Sequence, residues 1–340
     1  MNLKYLIKEA KYYKKVDGSI KRIFRKFLFA KTPLKKFVNS GMYNKIYSKR
    51  IDKKIGTRPY ILSIENTNIC NARCIMCPHT KMKRKQKVMN QKDFEEIVNK
   101  VMEKENIKFI TITGFGEPLA DKNLDKKIEF INKKYPKVKI IIFTNASLLT
   151  PKLIDRLLKL NIFKINFSVN GTRKNYKRIM GLDYDDTIKK INLFLKSKGE
   201  LKKEFPLINM SLMILDDNKE DVKEFINTWI EKADSVMTYL PSDWAGGIDH
   251  GVVKTPFKDK RWPCMALWRY VTVDVDGNVI LCCRDYESEF KLGNLIKEDY
   301  EKAKNKIEEI KKRHLKMDFS MPICNRCDNS FDSSLDWWED

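Results

Sequence analysis

Three cysteines within eight residues, Cys70, Cys74 and Cys77, are followed at once by Pro78 and His79. Reduced thiols this close together ligate metal. A structural zinc ion takes four ligands. Three thiolates on a 4Fe-4S cluster leave one iron open to an outside ligand, and an open iron implies chemistry at the metal. A zinc site with His79 as fourth ligand is the alternative reading of the same stretch. A second set comprises Cys264, then, after 17 residues, Cys282 with its neighbour Cys283, and finally Cys324 and Cys327, two residues apart. Four thiolates of this set can close a 4Fe-4S cluster with no open position, or a zinc ion. Adjacent residues of a regular strand face opposite ways, so the spacing selects Cys282 as ligand and leaves Cys283 a buried thiol.

These loops need a scaffold. With 340 residues, 42% hydrophobic, 13 Gly and 11 Pro, the chain can bury a full core and falls outside the disordered and low-complexity classes. No run reaches the roughly 18 apolar residues of a membrane span, and lysines interrupt the N-terminus where a signal core would be apolar. A reducing, cytoplasmic setting is therefore expected, in which clustered cysteines bind metal. From residue 58, short β-branched runs alternate with helix-period segments, the pattern of βα units and a parallel sheet. The runs are Pro59–Ile64, Lys108–Thr113, Val138–Phe143, Phe163–Val169, Leu207–Ile214 and Ser235–Leu240. Asn90, Thr150 and Asn218 stand where helix caps belong. Six repeats do not complete an eight-stranded barrel, so an α/β fold with an open, partial (β/α)6 barrel is expected over 56–240, with ligands at the carboxyl ends of its strands. The segment 241–250 reads as a linker or a lid. Two alternating runs around Asp276-Gly277 then predict a β-hairpin, and a helix follows near Glu298–Arg313, giving a small C-terminal domain over 241–340.

Lys and Arg number 68 against 45 acids, a net charge of +23. Residues 1–55 hold 17 of these cations and only Glu9, Asp17 and Asp52 as acids. Within them Ile20, Ile23, Phe24, Phe27 and Leu28 fall on one helical face. A basic amphipathic helix over 19–29 suits either an anionic membrane surface, which would place the protein peripherally at the inner face, or packing on the protein body. Nucleic acid is a second anionic partner, but no RNA-binding module is identifiable.

The C-x3-C-x2-C triplet after the first strand resembles the radical S-adenosylmethionine (radical SAM) superfamily. Thr113-Gly114-Phe115-Gly116-Glu117-Pro118 is similar to that family's G-G-E-P segment, with Phe115 between the glycines. Thr144-Asn145-Ala146-Ser147 resembles its T-N-G stretch, and Ser168-Val169-Asn170-Gly171 its S-x-D-G, with Asn170 in place of the acid. The resemblance covers about residues 58–240. It implies that Cys70, Cys74 and Cys77 hold a 4Fe-4S cluster whose open iron binds S-adenosyl-L-methionine. Gly114, Gly116, Glu117, Asn145, Ser168 and Arg178 then become candidate contacts of that molecule. Trp262-Pro-Cys264 with the hairpin and Cys324-Asn-Arg-Cys327 resembles the twitch domain, a short relative of the SPASM domain, which implies a second, auxiliary 4Fe-4S cluster on Cys264, Cys282, Cys324 and Cys327.

What the family resemblance implies is a radical SAM oxidoreductase of dehydrogenase or maturase type. It reductively cleaves S-adenosylmethionine to a 5'-deoxyadenosyl radical, abstracts hydrogen from a peptide, protein or small carbohydrate-like substrate, and oxidises or cross-links it with the auxiliary cluster's help. An electron donor such as flavodoxin or ferredoxin is implied. The general base is not identified; Tyr239, Asp243 and His250 lie near the lid. Rival expectations are a tRNA- or rRNA-modifying radical SAM enzyme and a non-catalytic, zinc-stabilised binding protein.

Overall fold

The β-branched runs become β1 (Ile61–Ile64), β2 (Phe109–Ile112), β3 (Lys139–Thr144), β4 (Lys164–Ser168), β5 (Leu207–Met213) and β6 (Ser235–Tyr239). They pair in chain order, all parallel. The computed structural model describes residues 7–8, 10–12, 14–15, 59–248, 261 and 263–327. The expected helix over 19–29, His250 and Trp262 lie outside the described residues. Among those described, no helix is long and apolar enough to cross a membrane.

Alternation along the strands separates two faces. Leu62, Ile64, Ile110, Ile112, Ile140 and Ile142 are fully buried in one apolar core with side chains of the crossover helices. Those helices are α1 (Gln91–Lys104), α2 (Leu124–Lys134), α3 (Pro151–Lys159), α4 (Tyr176–Met180), α5 (Tyr184–Glu200) and α6 (Val222–Trp229). On the other face Ser63, Thr111, Asn166 and Asn209 bring polar groups among apolar residues such as Phe109, Ile141 and Phe143. Asn90 caps α1 by accepting from Asp93 N at 2.8 Å, and Thr150 caps α3 by accepting from Leu153 N at 3.2 Å. Asn218 does not cap. Its side chain accepts from Leu215 N at 2.7 Å and donates to Met213 O at 2.9 Å. It thereby holds the turn after β5, the local competition to which Asn is prone, and α6 starts after a 3-10 turn.

The hairpin forms β7 (Tyr270–Val273) and β8 (Asn278–Ile280), preceded by the short α7 (Ala266–Arg269); β9 (Lys291–Asn294) and α8 (Tyr300–Leu315) follow. Gly277 takes the left-handed turn position at φ +79°. The hairpin is not a detached layer. β7 pairs parallel with β1, Ser63 opposite Thr272, and the result is one nine-stranded sheet, β6-β5-β4-β3-β2-β1-β7-β8-β9. Without β7 that side of β1 would be an unpaired edge. On the polar face, Thr272, Ser63 and Thr111 therefore stand side by side in register across β7, β1 and β2.

Candidate active site and cluster sites

Cys70, Cys74 and Cys77 lie between β1 and α1, on a loop fixed from below. Arg73 N and Ile75 N donate to Met180 O and Ile179 O, both at 2.9 Å, at the end of α4. Asn71 donates to Ser147 Oγ at 2.7 Å and accepts from Asn145 Nδ2 at 3.1 Å, tying the loop to the end of β3. Burial pushes the Cys70 thiol up to about 12, with Glu117 and Cys77 adding to it. Burial also raises Cys74, as do its two neighbouring sulfurs, and Cys77. Such thiols ionise when a cation is supplied, and backbone N–H groups already serve the sulfurs: Ala72 N lies 3.4 Å from Cys70 Sγ, and the His79 amide bonds Cys77. Three neighbouring sulfurs with N–H donors are a donor set suited to an iron-sulfur cluster. Among the described residues no three His, Cys, Asp or Glu side chains are placed to hold one metal ion; a cubane takes its thiolates on separate irons. His79, the alternative zinc ligand, is buried with Nε2 bonded to Asn68 O at 3.0 Å. Its ring serves the loop's own backbone.

The β2 end carries the glycine motif. A Cβ on Gly114 would fall 2.5 Å from Glu65 Cγ, and one on Gly116 only 2.2 Å from Thr67 O. Both glycines are therefore required by the chain's own packing of the β2 end onto the β1 end. Glu117, fully buried, accepts from Thr144 Oγ1 at 2.5 Å, Asn145 N at 2.7 Å and Leu119 N at 3.0 Å, clasping the ends of β2 and β3. Burial pushes its carboxyl up to about 6. Ser168, half-buried at the end of β4, is 3.4 Å from Asn166 Nδ2. Neither it nor Asn170 caps a helix: the Asn170 side chain accepts from Met213 N at 2.7 Å and links β4 to β5. Among the described residues Arg178 bonds to Asp217 and not to the cysteine loop. It is more than half exposed and pairs with Asp217 at 2.9 Å. Tyr239, at the end of β6, hydrogen-bonds with Ser211 and lies within electrostatic reach of Cys74 and Cys77. Asp243 accepts from Ala245 N at 2.9 Å and stands 3.7 Å from the Arg284 guanidinium.

Sequence reasoning missed the cavity. About 280 Å³ of space lies on the polar face of β1, β2 and β7, with Ser63, Thr111 and Thr272 along one side and Phe115, Phe143, Tyr270 and Trp244 on others. Thr111 Oγ1 is buried with no hydrogen-bond partner. Glu65 and Arg84, also lining it, form a buried bidentate pair at 2.8 and 3.1 Å. Glu65 accepts in addition from Phe115 N at 2.9 Å and Val275 N at 3.0 Å, joining the β2 end to the hairpin. Trp244 packs edge-on to Phe115, ring centres 5.4 Å apart, and its Nε1 donates to Met76 O at 2.9 Å, inside the cysteine loop. The described part of the expected lid thus reaches both the cavity and the first cysteine set.

Cys264, Cys282, Cys324 and Cys327 converge. Burial pushes Cys264 up to about 12, with Cys327 and Cys324 adding to it, and Cys324 likewise up to about 12, with Cys327 adding. This four-sulfur set also fits a cluster. Arg261 donates to the Cys324 carbonyl and lies 3.4 Å from that of Cys327. Cys283 corrects the expectation of a core thiol: it is exposed where it borders the cavity. β8 ends at Ile280, so strand alternation no longer applies at 282–283 and the two sulfurs hydrogen-bond to each other.

A family model of the radical SAM superfamily matches residues 64–228, and one of an iron-sulfur cluster-binding domain, SPASM, matches residues 264–328. Among curated proteins, the S-adenosyl-L-methionine-dependent 2-deoxy-scyllo-inosamine dehydrogenase of Niallia circulans is 26% identical over 165 residues, 45% of this chain and 66% of the relative. The GTP 3',8-cyclase of Campylobacter lari is 37% identical over 117 residues, 34% of this chain and 35% of the relative. These matches span about one third to two thirds of the relatives' lengths. Among solved structures, BtrN in complex with AdoMet and 2-DOIA shares the fold at a TM-score of 0.54 and 19% identity, covering 80% of this chain and 93% of its own. Streptococcus suis SuiB bound to precursor peptide SuiA shares it at a TM-score of 0.59 and 17% identity, covering 84% and 70%. With the two cysteine sets placed as described, this chain belongs to the radical SAM superfamily, with an S-adenosylmethionine-binding 4Fe-4S cluster and a C-terminal SPASM-type iron-sulfur site.

Proposed function

We propose that the protein oxidises a small, ring-shaped, hydroxylated substrate by radical SAM chemistry. The observation that carries this reading is that two wall residues tie one cavity to the cysteine sets: Trp244 donates to the Met76 carbonyl in the first cysteine loop, and Cys283 hydrogen-bonds Cys282. Cys70, Cys74 and Cys77 would hold the first cluster, and Cys264, Cys282, Cys324 and Cys327 the second. When bound, these groups supply the electron that splits S-adenosylmethionine into methionine and a 5'-deoxyadenosyl radical, and an acceptor for the electron the substrate later gives up. The substrate loses a hydrogen atom, then a proton and an electron, and a C–OH becomes C=O.

The chain's own residues bind and orient. A volume near 280 Å³ suits one ring better than a peptide segment. The hydroxyl row Thr272–Ser63–Thr111 offers hydrogen bonds to an alcohol edge, and Phe115, Phe143 and Trp244 offer apolar faces to a ring. Thr111, buried and without a partner, is the hydroxyl with a bond to give. Trp244 and Phe115 screen the cavity from water, which a carbon radical requires. The Niallia circulans relative acts on an aminocyclitol, which is a substrate of this class. Electrons come from a flavodoxin or ferredoxin, negatively charged carriers suited to the exposed Lys81, Lys83 and Lys85 beside the first cysteine loop.

The test is an anaerobic reaction of reconstituted, chemically reduced protein with S-adenosylmethionine and a panel of cyclitols, aminocyclitols and monosaccharides deuterated at carbinol carbons. Deuterium in 5'-deoxyadenosine with one panel member, and none with Cys74→Ala, is expected. A set of α-deuterated peptides runs in parallel, and transfer from these but from no panel member would overturn the substrate class.

A further inference from the structure

His314, near the end of α8, is 1% exposed and is used by nothing described so far. Its Nδ1 accepts the backbone N–H of Cys264 at 3.2 Å. An imidazole accepting at Nδ1 carries its proton at Nε2, and Nε2 is buried with no partner. A buried donor left unpaired in a native fold calls for an acceptor that belongs there. The imidazole itself sits at the auxiliary site, against the Cys264 backbone. Phe319 meets the imidazole edge-on, ring centres 4.9 Å apart, and Arg261 lies 4.5 Å over the Phe319 ring while holding the carbonyls of Cys324 and Cys327. One stack thus touches three of the four candidate ligands.

We propose that His314 is a positioning residue of the auxiliary cluster, its Nδ1 fixing Cys264 and its Nε2–H donating a hydrogen bond to a cluster sulfur. The inference rests on the iron-sulfur reading of Cys264, Cys282, Cys324 and Cys327. A hydrogen bond to a cluster sulfur stabilises the more negative, reduced form and so raises the reduction potential. His314 sets the auxiliary cluster's readiness to take the substrate's electron.

The experiment uses Cys70→Ala/Cys74→Ala/Cys77→Ala protein, which retains the auxiliary site alone. About four irons per chain are expected after anaerobic reconstitution, by cluster stoichiometry; zinc without iron would overturn the cluster reading itself. In that background His314→Asn keeps an acceptor near the Nδ1 position but loses the Nε2 donor, whereas His314→Gln returns an amide N–H near Nε2. An EPR-monitored redox titration should show a shift to more negative potential for Asn and a partial return for Gln. Full iron with an unchanged potential in the Asn variant would overturn the proposal. Should the Asn variant fail to hold iron, the triple-Ala protein labelled with 15N-histidine decides by pulsed EPR: coupling of the reduced cluster to an imidazole nitrogen is expected, and its absence overturns the proposal.

Discussion

Gly116 shows how little freedom single residues have at the β2 end. An alanine Cβ there would meet a backbone oxygen at 2.2 Å, which no rotamer change relieves. Gly116→Ala should lower unfolding stability by about 1–3 kcal/mol, the usual cost of overpacking, as read in urea melts of the apo-protein. Glu117 carries a pH signature. Its pKa is raised from 4.5 to about 6 by burial, so the folded state binds its proton more tightly than the unfolded chain. The stability this contributes is full below about 4.5 and is lost as pH rises through about 6. Relative to Glu117→Gln, whose amide does not titrate, the wild-type unfolding free energy should fall by about 2 kcal/mol between pH 4 and 7. No change in that difference would mean the carboxyl is not buried as described. At this scale the grouping of the cysteines was legible because the spacing within each motif is local. Glu65 and Arg84 were not, since they lie 19 positions apart and only the course of the loop between them brings them together. Cys283 was misread because the period-2 rule was carried two residues past the end of β8.

The elements that hold the loops depend on a few buried polar joints. Asp121 and Lys127 pair at 2.5 Å, each side chain 1% exposed. Lys127 also donates to Met89 O and Asp121 accepts from Asn66 Nδ2 at 3.1 Å. The pair thus fastens the start of α2 to both ends of the long β1–α1 connection that carries the cysteines. Asp121→Ala would strand a buried ammonium, and a loss of about 3–5 kcal/mol is expected in denaturant titration; a loss under about 1 kcal/mol, the range of exposed pairs, would contradict the burial. Strands, caps and the hairpin turn were legible because periodicity and capping chemistry are local. The pairing of β7 with β1 was not. It is set by an open sheet edge some 200 residues earlier in the chain, which no local pattern in 270–273 announces. Asn218 likewise looked like a cap, and only the turn after β5 reveals what its amide holds.

Taken as a whole, the molecule brings the cavity proposed for the substrate beside Cys283 because the hairpin extends the barrel sheet. The Cys282 end of β8 therefore lies beside the cavity rather than in a remote lobe. Trp244 links the lid segment to the first cysteine loop, so Trp244→Ala should raise KM for the small substrate by about tenfold, equivalent to roughly 1.4 kcal/mol. It should also increase 5'-deoxyadenosine formed per product, since the cavity opens to water. Unchanged KM and coupling, read from product and 5'-deoxyadenosine in one assay, would remove Trp244 from the closure. The most direct measurement of the central claim is the EPR spectrum of the reduced Cys264→Ala/Cys282→Ala protein, which keeps only the first cluster, before and after S-adenosylmethionine is added. A changed spectrum, with cleavage to 5'-deoxyadenosine that Cys74→Ala abolishes, is the expected result. A spectrum that S-adenosylmethionine leaves untouched would show that the three-thiolate iron site offers it no vacant position.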